Sequence, residues 1–500
     1  MTEKLYHFIG GKRVEGTSGR FGDILNPATG EVQSRVPYAN ADEVDRAVQA
    51  ARKAFLEWSA ASASRRSQVL FRFRDLLIRN MDTLAEIVGK EHGKTIVDAK
   101  GSIQRGIDVT EFACGIPHLM KGEFSSNVGG GIDTFSQREA IGVVGGITPF
   151  NFPVMIPLWM GVMAVACGNC YINKPSERDP SAPLFLAELW KEAGLPDGVW
   201  SVVNGDKEAV DALLHHPDVP AISFVGSTAV GEYIYHEGTA NNKRVQVFGG
   251  AKNHMVIMPD ADLDQAADAL IGSGYGSTGQ RCMAISVAVP VGEGTADAIV
   301  ERLKPRVQEL RYGPWNDDKA DMGPVITSQA KARIEDYIAQ GVKAGAELVV
   351  DGRGASLQGY EGGYFCGGSL FDHAKSDMSI YRDEIFGPVL TQVRAGSFDE
   401  AVKLVNDHDF GNGVAVFTRD GDAAREFANR VDVGMIGINV PIPVPLAFHN
   451  FGGSKRSKFG DTQMHGPESV RFFTKVKTIS ARWPSGIREG AVFAMPTAGH

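Results

Sequence analysis

From Asn40 to about Lys100, apolar residues recur at helical spacing along the chain. Ala47, Val48, Ala51 and Phe55 would share one helix face, which predicts amphipathic helices in this stretch. Asn40 is followed three residues later by Glu43, the pattern of a reciprocal cap at a helix start. The stretch from Asn40 to about Lys100 is therefore predicted to be helical.

After this stretch, short apolar runs alternate with helix-like segments. "AIGVVGGITPF", "NCYINKP", "WSVVNG" and "AISFVG" are typical of strands, and a second series contains "HMVIMPD", "ISVAVPV", "AELVVDG" and "GVAVFTRD". Such alternation predicts α/β units, each with a parallel sheet covered by helices. The run "RFFTKVKTISARW" predicts a further strand, which we expect to pair with a neighbouring subunit because both sheets lie far away in sequence.

Composition limits the class of protein. The 500 residues, 43% of them hydrophobic, suffice for about two to four domains. A net charge of -9 argues against nonspecific binding to nucleic acid or to an anionic membrane. The longest apolar stretch is too short for a membrane span and contains Pro157. Five scattered cysteines and no visible secretory signal favour a reducing, cytoplasmic location.

Three motifs resemble known sites without meeting their requirements. "GKEHGKT" is one residue too short for a phosphate loop and follows a helix instead of a strand. Cys167 and Cys170 have C-x-x-C spacing but no second ligand pair, so they are expected to pack in the core and no metal site is predicted. The glycines at Gly142, Gly145 and Gly146 do not form the usual dinucleotide fingerprint.

One cysteine has a different setting. In "STGQRCMAIS", Cys282 follows Arg281, whose positive charge would favour a thiolate nucleophile. Most free cysteines are small buried hydrophobes, and Cys282 taken alone fits that description better.

Four other stretches place polar side chains where a ligand is expected. In "TPFNFP", Asn151 follows a strand between prolines, which suits a rigid amide donor. In "NKPSE", Lys174 and Glu177 stand at a strand end, where ligands of open α/β sheets bind. In "FVGSTAVG", Ser227 begins a helix whose amides suit a phosphate, and "EIFGPV" offers a carboxylate for sugar hydroxyls. Each stretch alone is also compatible with an ordinary turn.

Together, and in this order, these motifs resemble the aldehyde dehydrogenase superfamily over nearly the whole chain, from "NPATGEV" at Asn26 to the terminal strand. The resemblance implies an α/β fold with an NAD-binding parallel-sheet domain, an α/β catalytic domain and a small β oligomerisation arm. The implied boundaries are 1–120 and 142–252 for the NAD-binding domain, 253–450 for the catalytic domain, and 121–141 and 468–490 for the arm.

The resemblance also implies a role for each site residue. Cys282 matches the nucleophile that forms a thiohemiacetal and then a thioester, and Asn151 matches the oxyanion hole. A carboxylate at Glu177 implies NAD over NADP, because it would repel a 2′-phosphate. The residues that match NAD contacts are Thr148, Phe150, Lys174, Glu177, Gly226, Ser227, Glu384 and Phe386.

The chain departs from the hydrolytic members of the superfamily. Those members carry a general-base glutamate in a motif reading Glu-Leu-Gly-Gly-Lys, whereas the corresponding run here is Val247–Lys252. No aspartate or glutamate occurs from Gly238 to Pro259. Without a carboxylate to activate water, the thioester is expected to wait for the more nucleophilic thiol of coenzyme A.

This departure, together with "GQRCMA", "GGAKNH" and "ACGIPHLMKGE", makes the chain similar to the CoA-acylating branch of the superfamily, whose small-molecule substrates carry a carboxylate. Arg105 and Arg281 match the two arginines that hold that group, and a guanidinium is well suited to it. The resemblance implies conversion of methylmalonate or malonate semialdehyde to propionyl-CoA or acetyl-CoA with loss of CO2. It also implies a homodimer or homotetramer and a place in valine or inositol breakdown.

Three alternatives stay open from the sequence. The first is a hydrolytic aldehyde dehydrogenase that uses a carboxylate from elsewhere in the chain. The second is a cysteine hydrolase or acyltransferase without a redox step, although no histidine lies within twenty residues of Cys282. The third is a non-catalytic binding protein on the same fold.

Overall fold

The structure is a computed structural model and describes residues 3–483. Its helices are α1 Ala41–Ala60, α2 Ala63–Arg79, α3 Met81–His92, α4 Ile96–Cys114, α5 Ile116–Leu119, α6 Met155–Ala166, α7 Ser181–Glu192, α8 Lys207–His215, α9 Thr228–Ala240, α10 Leu263–Tyr275, α11 Glu293–Gln308, α12 Ser328–Lys343, α13 Ser379–Arg382, α14 Phe398–Asp407, α15 Gly421–Arg430 and α16 Gly466–Phe472. None of the helices between residues 3 and 483 has the length and apolar character needed to span a bilayer.

The strands are β1 Glu3–Lys4, β2 His7–Ile9, β3 Lys12–Val14, β4 Phe21–Leu25, β5 Val32–Pro37, β6 Phe124–Gly129, β7 Ile132–Ala140, β8 Val143–Ile147, β9 Cys170–Lys174, β10 Trp200–Val202, β11 Ala221–Val225, β12 Arg244–Phe248, β13 Asn253–Ile257, β14 Ile285–Pro290, β15 Glu347–Val350, β16 Ser369–Asp372, β17 Val389–Gln392, β18 Phe410–Gly411, β19 Gly413–Phe417, β20 Met435–Ile438, β21 Ser454–Lys455, β22 Lys458–Phe459 and β23 Thr474–Arg482.

The cap predicted at the first helix is present. The Glu43 amide donates to Asn40 Oδ1 at 3.0 Å, and the Asn40 amide donates to Glu43 Oε2 at 3.0 Å. Two amides that the helix itself leaves unpaired are thereby satisfied, which fixes where α1 begins.

The first large sheet has eight strands in the order β22-β12-β11-β8-β9-β10-β2-β3. The five strands from β12 to β10 run parallel, and β2, β3 and β22 extend the edges in antiparallel fashion. Strands β8 and β9 are buried at every position, because helices cover both faces. Their uninterrupted apolar runs follow from this burial.

The second large sheet has seven strands in the order β15-β16-β17-β14-β13-β19-β20, parallel except for β15. Successive residues of its central strands face opposite sides, as the pleat requires. Met255 and Ile257 of β13 belong to one buried apolar cluster, and Val256 between them belongs to another. The predicted α/β class is confirmed.

The terminal strand has one partner within its own chain. β23 pairs antiparallel with β7 of its own chain, from Thr474 opposite Ala140 to Arg482 opposite Ile132. β6 completes this separate three-stranded sheet. Nine-residue β7 offers a partner of equal length within the chain, and the other edge of β23 pairs with no strand among residues 3–483. Pairing of that edge with a neighbouring subunit stays a prediction. Residues 484–490 of the predicted arm lie outside the described residues, and the domain boundaries stay predictions.

Cys167 and Cys170 are buried in the core, as the sequence indicated. Burial raises the pKa of the Cys167 thiol to about 12, so this pair is kept protonated and inert.

Candidate active site

One group of candidate residues lies along a single edge of the first sheet. Thr148 follows β8, Lys174 ends β9 and Gly226 follows β11, and these three strands are parallel neighbours. Parallel neighbours place their carboxyl ends together, so the residues predicted to contact NAD from this sheet converge. The register pairs Ile147 with Lys174, one residue before Thr148.

The side chains on this edge are held by short-range contacts. Lys174 is buried, and its Nζ donates to the carbonyl of Gly205 at 3.1 Å and lies 3.7 Å from a carboxylate oxygen of Glu177. Burial lowers the pKa of Lys174. The Glu177 side chain keeps 38% of its surface exposed, so its carboxylate remains accessible to a ligand.

Ser227 stands at the start of α9, a helix of 13 residues, and its side chain makes no capping hydrogen bond. The amides of the first turn of α9 therefore keep donors for a ligand, and the helix dipole favours an anionic one. The hydroxyl of Thr228, the next residue, accepts from the Gly250 amide at 2.8 Å.

A second group of candidates lies at the amino ends of strands in the second sheet. Cys282 precedes β14, and Glu384 and Phe386 precede β17, which pairs in parallel with β14. The rings of Phe150 and Phe386 meet edge to face, with centroids 5.9 Å apart. The site therefore lies where the carboxyl edge of the first sheet meets the amino edge of the second.

The segment before Cys282 has a constrained backbone. Ser277 and Thr278 adopt left-handed φ values of 53° and 54°, and Gly279 follows with φ of 70°. A Cβ at Gly279 would collide with the carbonyl oxygen of Gly387, so glycine is required there for both reasons.

Two asparagine side chains bind the backbone of the candidate nucleophile, Cys282. The amides of Asn253 and Asn412 both donate to the carbonyl oxygen of Cys282, at 2.9 Å and 3.2 Å. These residues were missed in the sequence. Asn253 belongs to the run "GGAKNH", but a bond to a backbone carbonyl leaves no pattern in residue spacing.

Cys282 opens onto a cavity of about 320 Å³. The side chain is half-buried, and the cavity wall includes Phe152, Trp159 and Met283, which make most of it apolar. Arg105 and Arg281 line the same cavity, so the structure brings the two predicted arginines together with the cysteine.

The two arginines are held differently. Nη2 of Arg281 donates to Asp98 Oδ1 at 2.6 Å, in an ion pair that is mostly shielded from solvent. Nη2 of Arg105 donates to the carbonyls of Val444 and Pro445 at 3.0 Å and 2.7 Å, which are neutral acceptors. The charge of Arg281 is thus compensated within the protein, whereas that of Arg105 is only weakly compensated, by Asp108 at 3.9 Å.

The lysine of the rejected phosphate-loop motif also belongs to this site. Helix α3 ends at His92, Gly93 turns the chain with φ of 92°, and Lys94 then points into the protein. Its Nζ donates to the backbone carbonyl of Asn151 at 2.7 Å and lies 4.4 Å from the centre of the Phe152 ring. Nothing in the sequence indicated that Lys94 lies in this site, because the motif was considered only as a phosphate loop.

The charges around the thiol also differ from expectation. Burial, and after it the negative charge of Glu384, raise the pKa of the Cys282 thiol to about 12, while backbone amides and Lys94 act in the opposite direction. The sequence assigned the activating charge to Arg281. With Arg281 compensated by Asp98, Lys94 is the side-chain cation that favours the thiolate.

Glu384 is a carboxylate whose negative charge raises the pKa of the Cys282 thiol. Its Oε1 accepts from the Ala251 amide at 3.0 Å, and burial raises the pKa of Glu384 to about 7. The run from Gly238 to Pro259 contains no acidic residue, but the fold adds Glu384 from elsewhere in the chain, which is the source that the hydrolytic alternative requires. Glu384 reaches the site from a segment about a hundred residues further along the chain.

Comparison with known proteins identifies the family. The sequence pattern of the aldehyde dehydrogenase family matches residues 14–479. The chain belongs to the aldehyde dehydrogenase family.

Similar proteins include malonate- and methylmalonate-semialdehyde dehydrogenases. A malonate-semialdehyde dehydrogenase of Pseudomonas aeruginosa is 54% identical over 494 residues, which cover 99% of each chain. A mitochondrial acylating methylmalonate-semialdehyde dehydrogenase of Arabidopsis thaliana is 47% identical over 500 residues, which cover all of this chain and 82% of the relative. A crystal structure from Sinorhizobium meliloti, described as a methylmalonate-semialdehyde dehydrogenase complexed with NAD, superimposes with a TM-score of 0.97 at 60% identity and covers 98% of this chain and 100% of the other.

Proposed function

We propose that the chain is an NAD-dependent, CoA-acylating dehydrogenase of methylmalonate semialdehyde and malonate semialdehyde. The observation that carries the proposal is that Cys282, Arg105 and Arg281 line the same cavity. Similarity to acylating relatives along the whole chain supports the same reaction.

The chain's own residues account for the first half of the reaction. The thiolate of Cys282 attacks the aldehyde carbon, and the resulting oxyanion is held by the Asn151 amide and the Cys282 backbone amide. One such donor contributes about 3 kcal/mol to lowering the barrier. Asn151 is buried and its backbone carbonyl is anchored by Lys94, so the donor is fixed before the substrate arrives.

The cofactor that accepts the hydride is NAD, and the carboxyl edge of the first sheet fits it. Glu177 presents an accessible carboxylate for ribose hydroxyls, and the uncapped first turn of α9 presents amides for the pyrophosphate. Glu384 and Phe386, whose ring contacts that of Phe150 next to this edge, would hold the nicotinamide ribose. Loss of the hydride leaves a thioester on Cys282.

Coenzyme A completes the reaction. The carboxylate of the Cys282 thioester leaves as CO2, its bonding electron pair stays on the neighbouring carbon, and that carbon takes up the proton that the CoA thiol releases. The CoA thiolate attacks the thioester carbonyl, the Cys282 sulfur leaves as thiolate, and acyl-CoA is released. For malonate semialdehyde, the balance is semialdehyde plus NAD and CoA giving acetyl-CoA, CO2 and NADH. The run Val247–Lys252 supplies no carboxylate to direct water at the thioester instead.

Substrate selection depends on the two arginines. We assign the direct contact with the substrate carboxylate mainly to Arg105, because neutral carbonyls hold it and its charge is available. Arg281, paired with Asp98, also lines the cavity.

A second candidate function has one specific observation in its favour. Burial raises the pKa of Glu384 to about 7, and the negative charge of Glu384 raises the pKa of the Cys282 thiol, which suits a general base for hydrolysis. In the structure this carboxylate is engaged by the Ala251 amide, and binding of a ribose hydroxyl would occupy it further.

The deciding experiment isolates the acyl-enzyme and measures its breakdown. Enzyme, NAD and malonate semialdehyde are mixed without CoA to give a burst of NADH, after which CoA or buffer is added and products are identified. We expect acetyl-CoA to form at least about 100-fold faster than free acid, given the greater nucleophilicity of a thiol. Free acid as the main product with CoA present would support the hydrolytic reading. In that case Glu384→Gln should abolish acid formation from a preformed acyl-enzyme.

We also propose a homodimer or homotetramer formed through the sheet of β6, β7 and β23. Phe124, Val476 and Trp483 on this sheet are 65%, 58% and 64% exposed, which leaves apolar surface for a second copy to cover. The five free cysteines favour action in a reducing compartment, which we take to be the cytoplasm. Degradation of valine or inositol would supply such semialdehydes.

A further inference from the structure

Lys94 is a cation that the fold removes from water. Its side chain is 0% exposed, and within residues 3–483 its hydrogen-bond acceptor is the Asn151 carbonyl, 2.7 Å from Nζ. The face of the Phe152 ring, 4.4 Å away, and Asp98 Oδ2, 3.9 Å away, complete the surroundings of the charge. A neutral donor would satisfy one carbonyl equally well, so the charge itself requires an explanation.

Asp98 connects this cation to the substrate pocket. It lies one helical turn after Lys94, in the first turn of α4, where its amide donates to the capping hydroxyl of Thr95 at 3.4 Å. One carboxylate oxygen accepts from Arg281 at 2.6 Å, and the other faces Lys94. The Asp98 carboxylate therefore contacts two cations. One is Lys94, which binds the Asn151 carbonyl, and the other is Arg281, which lines the cavity.

We propose that Lys94 is a positioning residue. It fixes the Asn151 oxyanion donor and, through Asp98, fixes the position of that donor relative to Arg281. The inference rests on the proposed function for the identity of the substrate. Its geometric part, the chain from the Asn151 carbonyl through Lys94 and Asp98 to Arg281, does not depend on the choice of acyl acceptor.

The electrostatic surroundings agree with this role. The titratable groups that act on Lys94 are Asp98, Arg281, Asp179 and Cys282, and Lys94 in turn acts on His92. Burial lowers the pKa of Lys94 to about 8, against the opposing effect of Asp98, so the lysine remains mostly charged below that pH. This charge favours the thiolate of Cys282 and would equally favour the oxyanion formed beside it.

The test compares Lys94→Met with Lys243→Met. Lys243 is also buried, donates to the carbonyls of His216 and Val219 at 2.6 Å and 2.7 Å, and has its pKa lowered by burial to about 8. It lies just before β12, at the amino end of that strand and away from the candidate site. Both variants lose a buried lysine that binds carbonyls, so thermal unfolding should respond similarly in the two.

Two readouts separate positioning from stability. In Lys94→Met, the rate of the NADH burst with malonate semialdehyde should fall about 10- to 100-fold with little change in KM for NAD, as expected for a misplaced donor. Alkylation of Cys282 by iodoacetamide, followed against pH without substrate, should move to higher pH, because loss of the cation leaves less thiolate at any given pH. Lys243→Met should leave both quantities within about twofold of the parent protein, since distant sites act independently.

Restoring the charge and removing Arg281 sharpen the test. Lys94→Arg should return the alkylation profile toward its original pH, and the effects of Lys94→Met and Arg281→Ala on the burst should be non-additive, because both residues share Asp98. An unchanged alkylation profile in Lys94→Met, or equal changes in Lys243→Met, would overturn the inference. A parent enzyme that alkylates as described but gives no NADH burst with any semialdehyde would instead count against the proposed function.

Discussion

The two ligand-facing regions of this protein are built in different ways. Along the carboxyl edge of the first sheet, each candidate residue follows its own strand and is held by near neighbours, as Lys174 is held by Gly205 and Glu177. In the cavity before Cys282, the essential contacts join segments far apart, such as Asp98 with Arg281 and Arg105 with Val444. Substitutions at the edge should therefore have local effects, whereas those in the cavity should spread through shared partners.

The largest effect is expected for Cys282→Ala, which should separate the two regions completely. NADH formation should fall by at least about 10,000-fold, because removing a nucleophile removes the covalent route. Binding of NAD, measured by calorimetry, should remain within about threefold of the parent, because no proposed cofactor contact at the sheet edge is altered.

Cys366→Ala is the matched control for this substitution. Cys366 is buried in the second sheet's apolar cluster, and burial raises the pKa of its thiol to about 12, so its removal should reduce stability without reducing the rate. Residual turnover of Cys282→Ala within about tenfold of the parent would contradict the assignment of the nucleophile.

A smaller and more selective effect is expected from the arginines. Arg105→Ala should lower kcat/KM for malonate semialdehyde by about 10- to 100-fold, the range of a charged hydrogen bond, and spare propanal. Arg281→Ala should impair both substrates, because it leaves the buried Asp98 without its partner at 2.6 Å. Steady-state kinetics with the two aldehydes measures the difference.

The double variant Arg281→Ala with Asp98→Asn tests the reason given for this contrast. Removing the negative charge together with its partner should recover part of the propanal activity, since no buried charge then remains unpaired there. If Arg281→Ala alone spares propanal as well as Arg105→Ala does, the two arginines have equivalent roles and the distinction between them is wrong.

The contrast between the two regions also explains which parts of the site could be predicted from the sequence. The strands that carry Thr148, Lys174 and Ser227 were predicted from their apolar runs, and parallel pairing then places their ends together without further information. The capping pair of Asn40 and Glu43 is equally local. Apolar runs and caps of this kind involve residues close together in the sequence, so they can be recognised from the sequence alone.

The cavity could be predicted only in part. Cys282, Arg105 and Arg281 were found through family resemblance, but the ion pair that compensates Arg281 joins residues 183 positions apart. Lys94 and Asp98 have helical i, i+4 spacing, which is common on solvated helices and so carries no specific signal. Nor does spacing reveal that Lys94 turns inward after Gly93, because that depends on the packing of α3 and α4 against the Asn151 segment.

The smallest expected effect lies at the sheet edge. Glu177 is 38% exposed and 3.7 Å from Lys174, so its electrostatic influence is reduced by solvent and by the neighbouring cation. Glu177→Gln should therefore raise kcat/KM for NADP by about 5- to 10-fold, through relief of repulsion with the 2′-phosphate, and lower that for NAD by a similar factor. The burst with saturating NAD should keep its rate, because the cavity is untouched. A changed burst rate would mean that the edge and the cavity are coupled, and the independence of the two regions would then be lost.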